Sequence, residues 1–386
     1  MKILIVSEYY PRAADPVRGI WAHRQAVAAR EAGAEVRAIV LHRPLPSLIS
    51  IRERDVATAL HTVRQPAGAV LDGVQIDYVR YVSPPRPWSY GSWGAWAAPA
   101  LGRALSRLRS TFAFDLVHAH YAVPAGDAAR RAAPRVPLVV SVHGHDVHGR
   151  LARSTTVRAT LAHARLVLAN SAGTARRCMD QGAGATRVIH LGTEIPPTPP
   201  PRPKAPTLVT VANLVARKRQ ADVISAVALL GRLHPELRYV IVGDGPERER
   251  LRALAVTLGV ERRVELRGQL SQSDAIAAAQ SATLFVLPSV DEAFGVAYVE
   301  AMAAGVPAIG CHGEDGPREI AAMGAGIALV EPRNPPALAR RIDELLRDPA
   351  ALRAMEQQAR ATVRRDFTWE RCGRETVQAY REVLES

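Results

Sequence analysis

The chain has 386 residues, 48% of them hydrophobic and 23% charged, with a formal net charge of +13. Such a chain is neither disordered nor a small stapled scaffold, and two domains of ordinary size are expected. No apolar run approaches the ~20 residues of a membrane-crossing helix, and the first residues meet Glu8 too soon for a signal peptide. Cys178, Cys311 and Cys372 are too few and too scattered for a disulfide framework or a thiolate metal site, so a reduced, cytoplasmic protein is expected. Basicity is confined to one half. Residues 1–195 hold 25 Lys+Arg against 13 Asp+Glu, whereas residues 196–386 hold 25 against 24. An anionic partner for the first half is the physical reading.

In chain order, short apolar runs predict strands over Lys2–Val6, Glu35–Leu41, Leu116–His118, Leu138–Val142 and Leu166–Ala169. A helix over Trp21–Glu31 stops at Gly33. Residues 78–109 break this rhythm. Tyr78, Tyr81, Trp88, Tyr90, Trp93 and Trp96 lead into a stretch with Leu101, Leu105 and Leu108 on one side and Arg103, Arg107 and Arg109 on another. An aromatic loop entering a basic amphipathic helix suits an anionic membrane surface or a grip on an acceptor. Rings filling a core are the plainer alternative.

Seven prolines in the eleven residues 196–206 predict a stiff, extended connector and hinge between two domains. Beyond it, strands are expected over Thr207–Val211, Tyr239–Val242, Val264–Leu266 and Leu284–Leu287. Helices are expected over Ala221–Leu230, Glu247–Leu258 and Asp274–Ala279, with a last one over Trp369–Leu384. The alternation predicts parallel sheets covered on both faces, hence two doubly wound Rossmann-like domains. The boundaries read as 1–195, a linker 196–206, 207–366, and a terminal segment 367–386.

The richest stretch runs from Leu284 to Pro307. A buried strand ends at Pro288-Ser289, a loop carries Glu292, and a helix begins near Gly295 and stops before Gly305-Val306-Pro307. Ligands of open parallel sheets sit where strands end and helices begin, so the amides of Phe294, Gly295 and Val296 suit phosphate or sugar oxygens. Glu292 and Glu300 can face one bound molecule, and two carboxylates suit a polyol because each accepts hydrogen bonds from hydroxyls. Arg217-Lys218-Arg219 is a basic triplet just after a strand. Val242-Gly243-Asp244-Gly245-Pro246 is a weak G-x-G turn. His118, His120, His143, His145 and His148 crowd one region and raise a metal reading, but their order and the missing carboxylate cluster fit no standard metal motif.

The E-x7-E pair, inside E-x-F-G followed by E-A-M-A-x-G-x-P, resembles the retaining glycosyltransferases of family four, the "glycosyl transferases group 1" set with the GT-B fold. Gly19, Asp115–His120, Ser141–Val147, Val188–Gly192, Arg217-Lys218 and Val242–Pro246 extend the likeness in order along the chain. The resemblance implies two Rossmann-like domains facing across a cleft, with a C-terminal helix returning to the first. It also implies a nucleotide-sugar donor held mainly by the second domain and an acceptor on the first.

By this resemblance Glu292 would meet the donor sugar, Glu300 the ribose and Lys218 the diphosphate, while His143 would lie beside the transferring sugar. Gly19, Arg217, Gly243 and Ala293 join Phe294, Gly295 and Val296 as donor contacts, and Gln269 and Leu270 border the base. Asn213 stands where the family usually has a second diphosphate-binding arginine. His118, His120, Tyr121, Trp88 and Trp93 are expected acceptor contacts, the acceptor being a saccharide, lipid-linked or small-molecule hydroxyl. No cofactor, metal or nucleic acid is expected; the nucleotide-sugar is a substrate, UDP-sugars being favoured over GDP-sugars. Bacterial cell-surface polysaccharide, glycolipid or glycoside synthesis is the implied setting, in the cytoplasm or at the inner face of the membrane. The alternatives are a metal-dependent hydrolase built on His143, His145 and His148, or a nucleotide-sugar epimerase on the same fold.

Overall fold

The computed structural model describes residues 1–45, 64–85, 89–144, 146–149 and 151–385. It divides into two compact units, one of Met1–Leu191 with Trp369–Ser386 and the other of Gly192–Thr368. The first is built on an eight-stranded sheet: β1 (Lys2–Ser7), β2 (Glu35–His42), β3 (Gly68–Leu71), β4 (Val74–Arg80), β5 (Leu116–His120), β6 (Leu138–Val142), β7 (Leu166–Ala169) and β8 (Thr186–Val188). The strand order is β3-β4-β2-β1-β5-β6-β7-β8, parallel except for the β3–β4 hairpin. The second unit has six parallel strands: β9 (Thr207–Val211), β10 (Arg238–Val242), β11 (Val264–Gly268), β12 (Leu284–Val286), β13 (Ala308–Cys311) and β14 (Ile327–Val330). Their order is β11-β10-β9-β12-β13-β14.

Central strands are apolar on both faces because helices cover both. In β1, Ile3, Leu4, Ile5 and Val6 have no exposed surface. β5 differs. Its Ala119 joins the core on one face, while His118 and His120, two residues apart, share the opposite face. The terminal helix Trp369–Glu385 packs against the helix Ile20–Glu31 within the first unit. Contact there is close enough that a Cβ on Gly373 would lie 2.2 Å from the Ala28 carbonyl oxygen. Gln25 Nε2 donates to Thr376 Oγ1 at 3.1 Å across the same packing.

The structure moves the boundary between the units and decides between the two readings of the aromatic stretch. The proline-rich segment, expected as a stiff connector, is pinned along the second unit. Arg360 Nη2 donates to the carbonyls of Pro196 (2.7 Å) and Pro197 (3.1 Å). Arg202 donates to the carbonyls of Gln280, Ala282 and Ala304. Proline lacks an N–H but keeps its acceptor, and Arg360 exploits that. The chain instead crosses between units at Leu191/Gly192 and Thr368/Trp369.

The aromatic stretch is mostly core. Tyr78 belongs to β4, and Tyr81, Tyr90 and Trp93 are buried, with ring centroids 5.1 Å (Tyr90–Trp93) and 6.2 Å (Tyr81–Trp93) apart. The helix that follows is Trp93–Arg109, on which Trp96 remains 52% exposed.

Candidate active site

In the second unit β9 and β12 are neighbours, so the loops leaving their carboxyl ends meet. The loop after β9 turns through Ala216–Lys218 and the loop after β12 carries Glu292. Lys218 Nζ donates to Glu292 Oε2, and Ser289 Oγ donates to the same oxygen at 2.9 Å. Arg217 Nη1 stands 4.0 Å from it. Both members of the Lys218–Glu292 pair are largely buried. Burial alone would raise the Glu292 carboxyl. The charge and hydrogen bond of Lys218, with the charge of Arg217 and the Ser289 hydrogen bond, together outweigh it and hold the group below the ordinary carboxylate range. Arg219 departs from the triplet: it turns back at φ 57° to clasp Asp222 at 2.7 and 2.9 Å.

The Glu292 loop is clamped from several sides. Val290 N–H donates to the Arg217 carbonyl (2.8 Å), Arg217 Nη1 to the Asp291 carbonyl (3.3 Å), and Glu292 N–H to Glu314 Oε2 (2.7 Å). Phe294 is buried against Phe367, and its backbone lies on Gly316, where a Cβ would come within 2.1 Å of the Phe294 carbonyl oxygen. Gly295 adopts φ 84° and starts the helix Val296–Ala303, whose Tyr298 hydroxyl donates to the Leu287 carbonyl. The first-turn amides therefore lie at the carboxyl end of the sheet, as the strand-to-helix reading expects. Ala293 is buried, and Val296 and Ala297 are half-buried. Glu300 stands in the second turn, half-buried, and no described side chain bonds its carboxyl; burial pushes that group up to about 7.

Other expected donor residues are placed differently. Gly243 has its amide occupied by the Gly268 carbonyl at 2.8 Å, and a Cβ there would strike the Ala212 carbonyl oxygen at 2.0 Å. Gly245 packs in the same way on Leu214. Both glycines admit the 212–214 backbone, so the amide of Gly243 is taken up within the fold. Asn213 is exposed beside this turn and its carbonyl accepts from Gln220 Nε2 at 3.2 Å. Gln269 is exposed after β11, while Leu270 packs against the core.

In the first unit Gly19 caps the helix Ile20–Glu31 at φ 61°, and a Cβ there would lie 2.1 Å from the Tyr9 carbonyl. Close backbone approach therefore requires glycine at this position. β5 and β6 are neighbours, which brings His120 to His143: Nδ1 and Nε2 lie 3.0 Å apart and the rings stack 5.3 Å apart at 7°. Tyr121 (5.0 Å) and Trp21 (6.1 Å) flank the His143 ring. Burial lowers His143 to about 3 and His120 well below the usual imidazole range, so both are neutral at pH 7.

Sequence reasoning missed Asp146 as a support. It is fully buried and accepts from the main-chain N–H of Ala122 at 3.0 Å. Its signal was position, one turn after a strand end. His118 is corrected as an acceptor contact, because Nδ1 bonds the Tyr380 hydroxyl and Nε2 bonds Ser141 Oγ, both at 2.7 Å. Trp93 is corrected likewise: it is buried, and its indole N–H donates to the Pro84 carbonyl and Ser89 Oγ. Trp88 and His145 lie outside the described residues. Among the described residues no three His, Cys, Asp or Glu side chains group as metal ligands.

Residues 19–196 match the sequence model of Glycosyltransferase Family 4, and residues 193–362 match that of Glycosyl transferases group 1. The chain belongs to the group 1 glycosyltransferases, and glycosyl transfer is its reaction class. It is 28% identical over 406 aligned positions to a glycogen synthase of Mycobacterium tuberculosis, covering 98% of this chain and 94% of that one. It is 38% identical over 181 residues to an exopolysaccharide phosphotransferase of Streptomyces coelicolor, a match spanning 46% of this chain but only 19% of that protein.

Among solved structures, sucrose-phosphate synthase from Thermosynechococcus elongatus superposes with a TM-score of 0.79 at 20% identity, over 100% of this chain and 99% of that one. The Anabaena protein HepE, in complex with UDP and glucose, superposes with a TM-score of 0.71 at 19% identity, over 99% and 100%. These likenesses show the GT-B fold.

Proposed function

We propose that the chain moves a sugar from a nucleotide-sugar to an acceptor hydroxyl with retention at the anomeric carbon and without a metal ion, in the synthesis of a cell-surface saccharide or glycolipid. The observation that carries this reading is the buried Lys218–Glu292 pair, with Arg217 beside it, where β9 and β12 end. A diphosphate entering there takes Lys218 as its counter-ion. That frees Glu292 to accept hydrogen bonds from the donor sugar, while Glu300 accepts them from the ribose. As the bond between the anomeric carbon and the diphosphate oxygen breaks, negative charge grows on the leaving phosphate, and Lys218 stabilises it most at that moment. The acceptor oxygen bonds to the anomeric carbon from the same face, and its proton passes to the departing phosphate. A neutral His143 suits a place beside the transferring sugar, where it offers a hydrogen bond without a charge. UDP-sugars remain the favoured donors, in line with the UDP in the HepE complex.

The test is proton NMR of the product formed from a panel of UDP- and GDP-sugars in the presence of EDTA. An α-linked product from an α-linked donor, formed at an undiminished rate, is expected. An inverted product, or activity abolished by the chelator and restored by a divalent cation, overturns the proposal.

We also propose that the protein works at the inner, anionic face of a membrane. No helix among the described residues is long and apolar enough to cross one. The helix Trp93–Arg109 instead lines up exposed Trp96, Arg103 and Arg107 on one face, beside Arg37 and Arg80. A ring and several guanidiniums side by side suit a headgroup layer. Co-sedimentation with phosphatidylglycerol vesicles but not phosphatidylcholine vesicles, lost in Arg103→Glu/Arg107→Glu, is expected. Equal recovery with both lipids refutes it.

A further inference from the structure

We propose that His120 is a positioning residue, one that fixes His143 as a neutral imidazole protonated on Nδ1. This inference deepens the proposed function and rests on the place given there to His143.

The argument is one of hydrogen-bond accounting. The contact between His120 Nδ1 and His143 Nε2, at 3.0 Å, needs one donor and one acceptor. Neither ring is charged at neutral pH, since burial depresses both. Two arrangements remain. If His143 Nε2–H donates, His120 must carry its own proton on Nε2. That atom is buried and has no partner among the described residues, so a donor would be stranded there. If His120 Nδ1–H donates, the stranded group on Nε2 is only a lone pair. Buried orphan N–H groups are rarer than under-used acceptors, and each costs its full desolvation. The second arrangement is therefore assigned. It leaves the proton of His143 on Nδ1, available to an oxygen of a bound sugar.

The rest of the first unit holds His120 in that role. His118 lies against it, with centroids 4.6 Å apart and rings tilted by 33°, and is itself fixed at both nitrogens by Tyr380 and Ser141. The anchor of the His143 ring thus reaches the C-terminal helix through Tyr380.

The test uses the full chain labelled with ¹⁵N at histidine. Two-bond ¹H–¹⁵N correlation spectra of wild type at pH 7.5 are expected to show His143 protonated on Nδ1. In His120→Leu that signal should move to the Nε2-protonated form or a mixture, and in His120→Asn, whose amide N–H can take the place of Nδ1–H, it should return. Steady-state kinetics should show kcat lowered about ten- to a hundredfold in His120→Leu, as for other partners that orient a working histidine, with KM for the donor within about twofold and partial recovery in His120→Asn. An Nε2-protonated His143 in wild type, or one unchanged in His120→Leu, overturns the assignment. Full turnover in His143→Ala would instead remove the role of His143 beside the sugar, a separate result that leaves the tautomer measurement standing.

Discussion

Lys218→Met leaves the Glu292 carboxylate buried without its main counter-ion, and Glu292 is only 8% exposed. Two unit charges ~4 Å apart attract by about 4 kcal/mol at an effective dielectric constant of ~20. Ser289 still donates to the carboxylate, and Arg217 still stands at 4.0 Å, though it is half-exposed and screened by water. Removing one partner of a buried pair costs about 3–5 kcal/mol; with those two contacts left, roughly 2–3 kcal/mol is expected. For a unit of this size that lowers Tm by about 4–12 °C.

The loss also depends on pH. In wild type the depressed carboxyl contributes stability above the unfolded value of ~4.3, and this is lost only as pH falls through the folded value. Without Lys218, burial raises the carboxyl, the folded state holds a proton that the unfolded chain releases, and stability falls as pH rises above ~4.3. The gap between variant and wild type therefore widens from pH 5 to pH 8. Trp21, Trp88, Trp93, Trp96 and Trp369, all the tryptophans in the chain, lie in the first unit, so melting of the second is followed by circular dichroism. In Lys218→Met/Glu292→Gln most of the loss should disappear, with a coupling of about 2 kcal/mol. A Lys218→Met protein that melts with wild type at pH 5, 6.5 and 8, or a double variant that shows simple additivity, refutes the reasoning.

Gly316→Ala should displace the Glu292 loop, because its Cβ would overlap the Phe294 backbone; a loss of about 1–3 kcal/mol and weakened UDP binding are expected, whereas Gly184→Ala, with open space around it, should be near neutral in the same melts. Tyr380→Phe removes the hydroxyl bonded to His118 Nδ1 and should lower stability by about 1–3 kcal/mol, read from the tryptophan-fluorescence melt of the first unit. Glu300, raised to about 7, accepts hydroxyl bonds fully only when ionised, so uridine affinity measured by calorimetry should rise from pH 6 to pH 8 in wild type and stay flat in Glu300→Gln.

The parallel-sheet class and most central strands were legible because residues such as Ile3–Val6 are apolar without interruption, which only two-sided burial explains. The β3–β4 hairpin was written in Asp72-Gly73, both at positive φ, and passed unread beside the aromatic cluster. Asn334-Pro335 and Asp348-Pro349 similarly announced the helices Pro335–Arg347 and Pro349–Asp366, each capped by the side chain that precedes the proline. β13 hides because Ala308–Cys311 is short and small-sided.

The candidate site was legible as residue types but not as pairings. Lys218 and Glu292 are far apart in sequence, and so are His120 and His143. Each pair meets because sheet order makes neighbours of β9 and β12, and of β5 and β6. Gly243 is ambiguous in sequence for the opposite reason: a backbone needing room and a ligand needing room both select glycine.

The most direct measurement is calorimetric titration of UDP and GDP into wild type, Lys218→Met and Glu292→Gln, paired with turnover of the corresponding UDP- or GDP-sugar. Wild type should bind one nucleotide, Lys218→Met should bind it at least tenfold more weakly, and Glu292→Gln should keep nucleotide affinity while losing sugar turnover. Wild-type affinity in a folded Lys218→Met protein, or wild-type turnover in Glu292→Gln, would contradict the assignment of this pair to the donor.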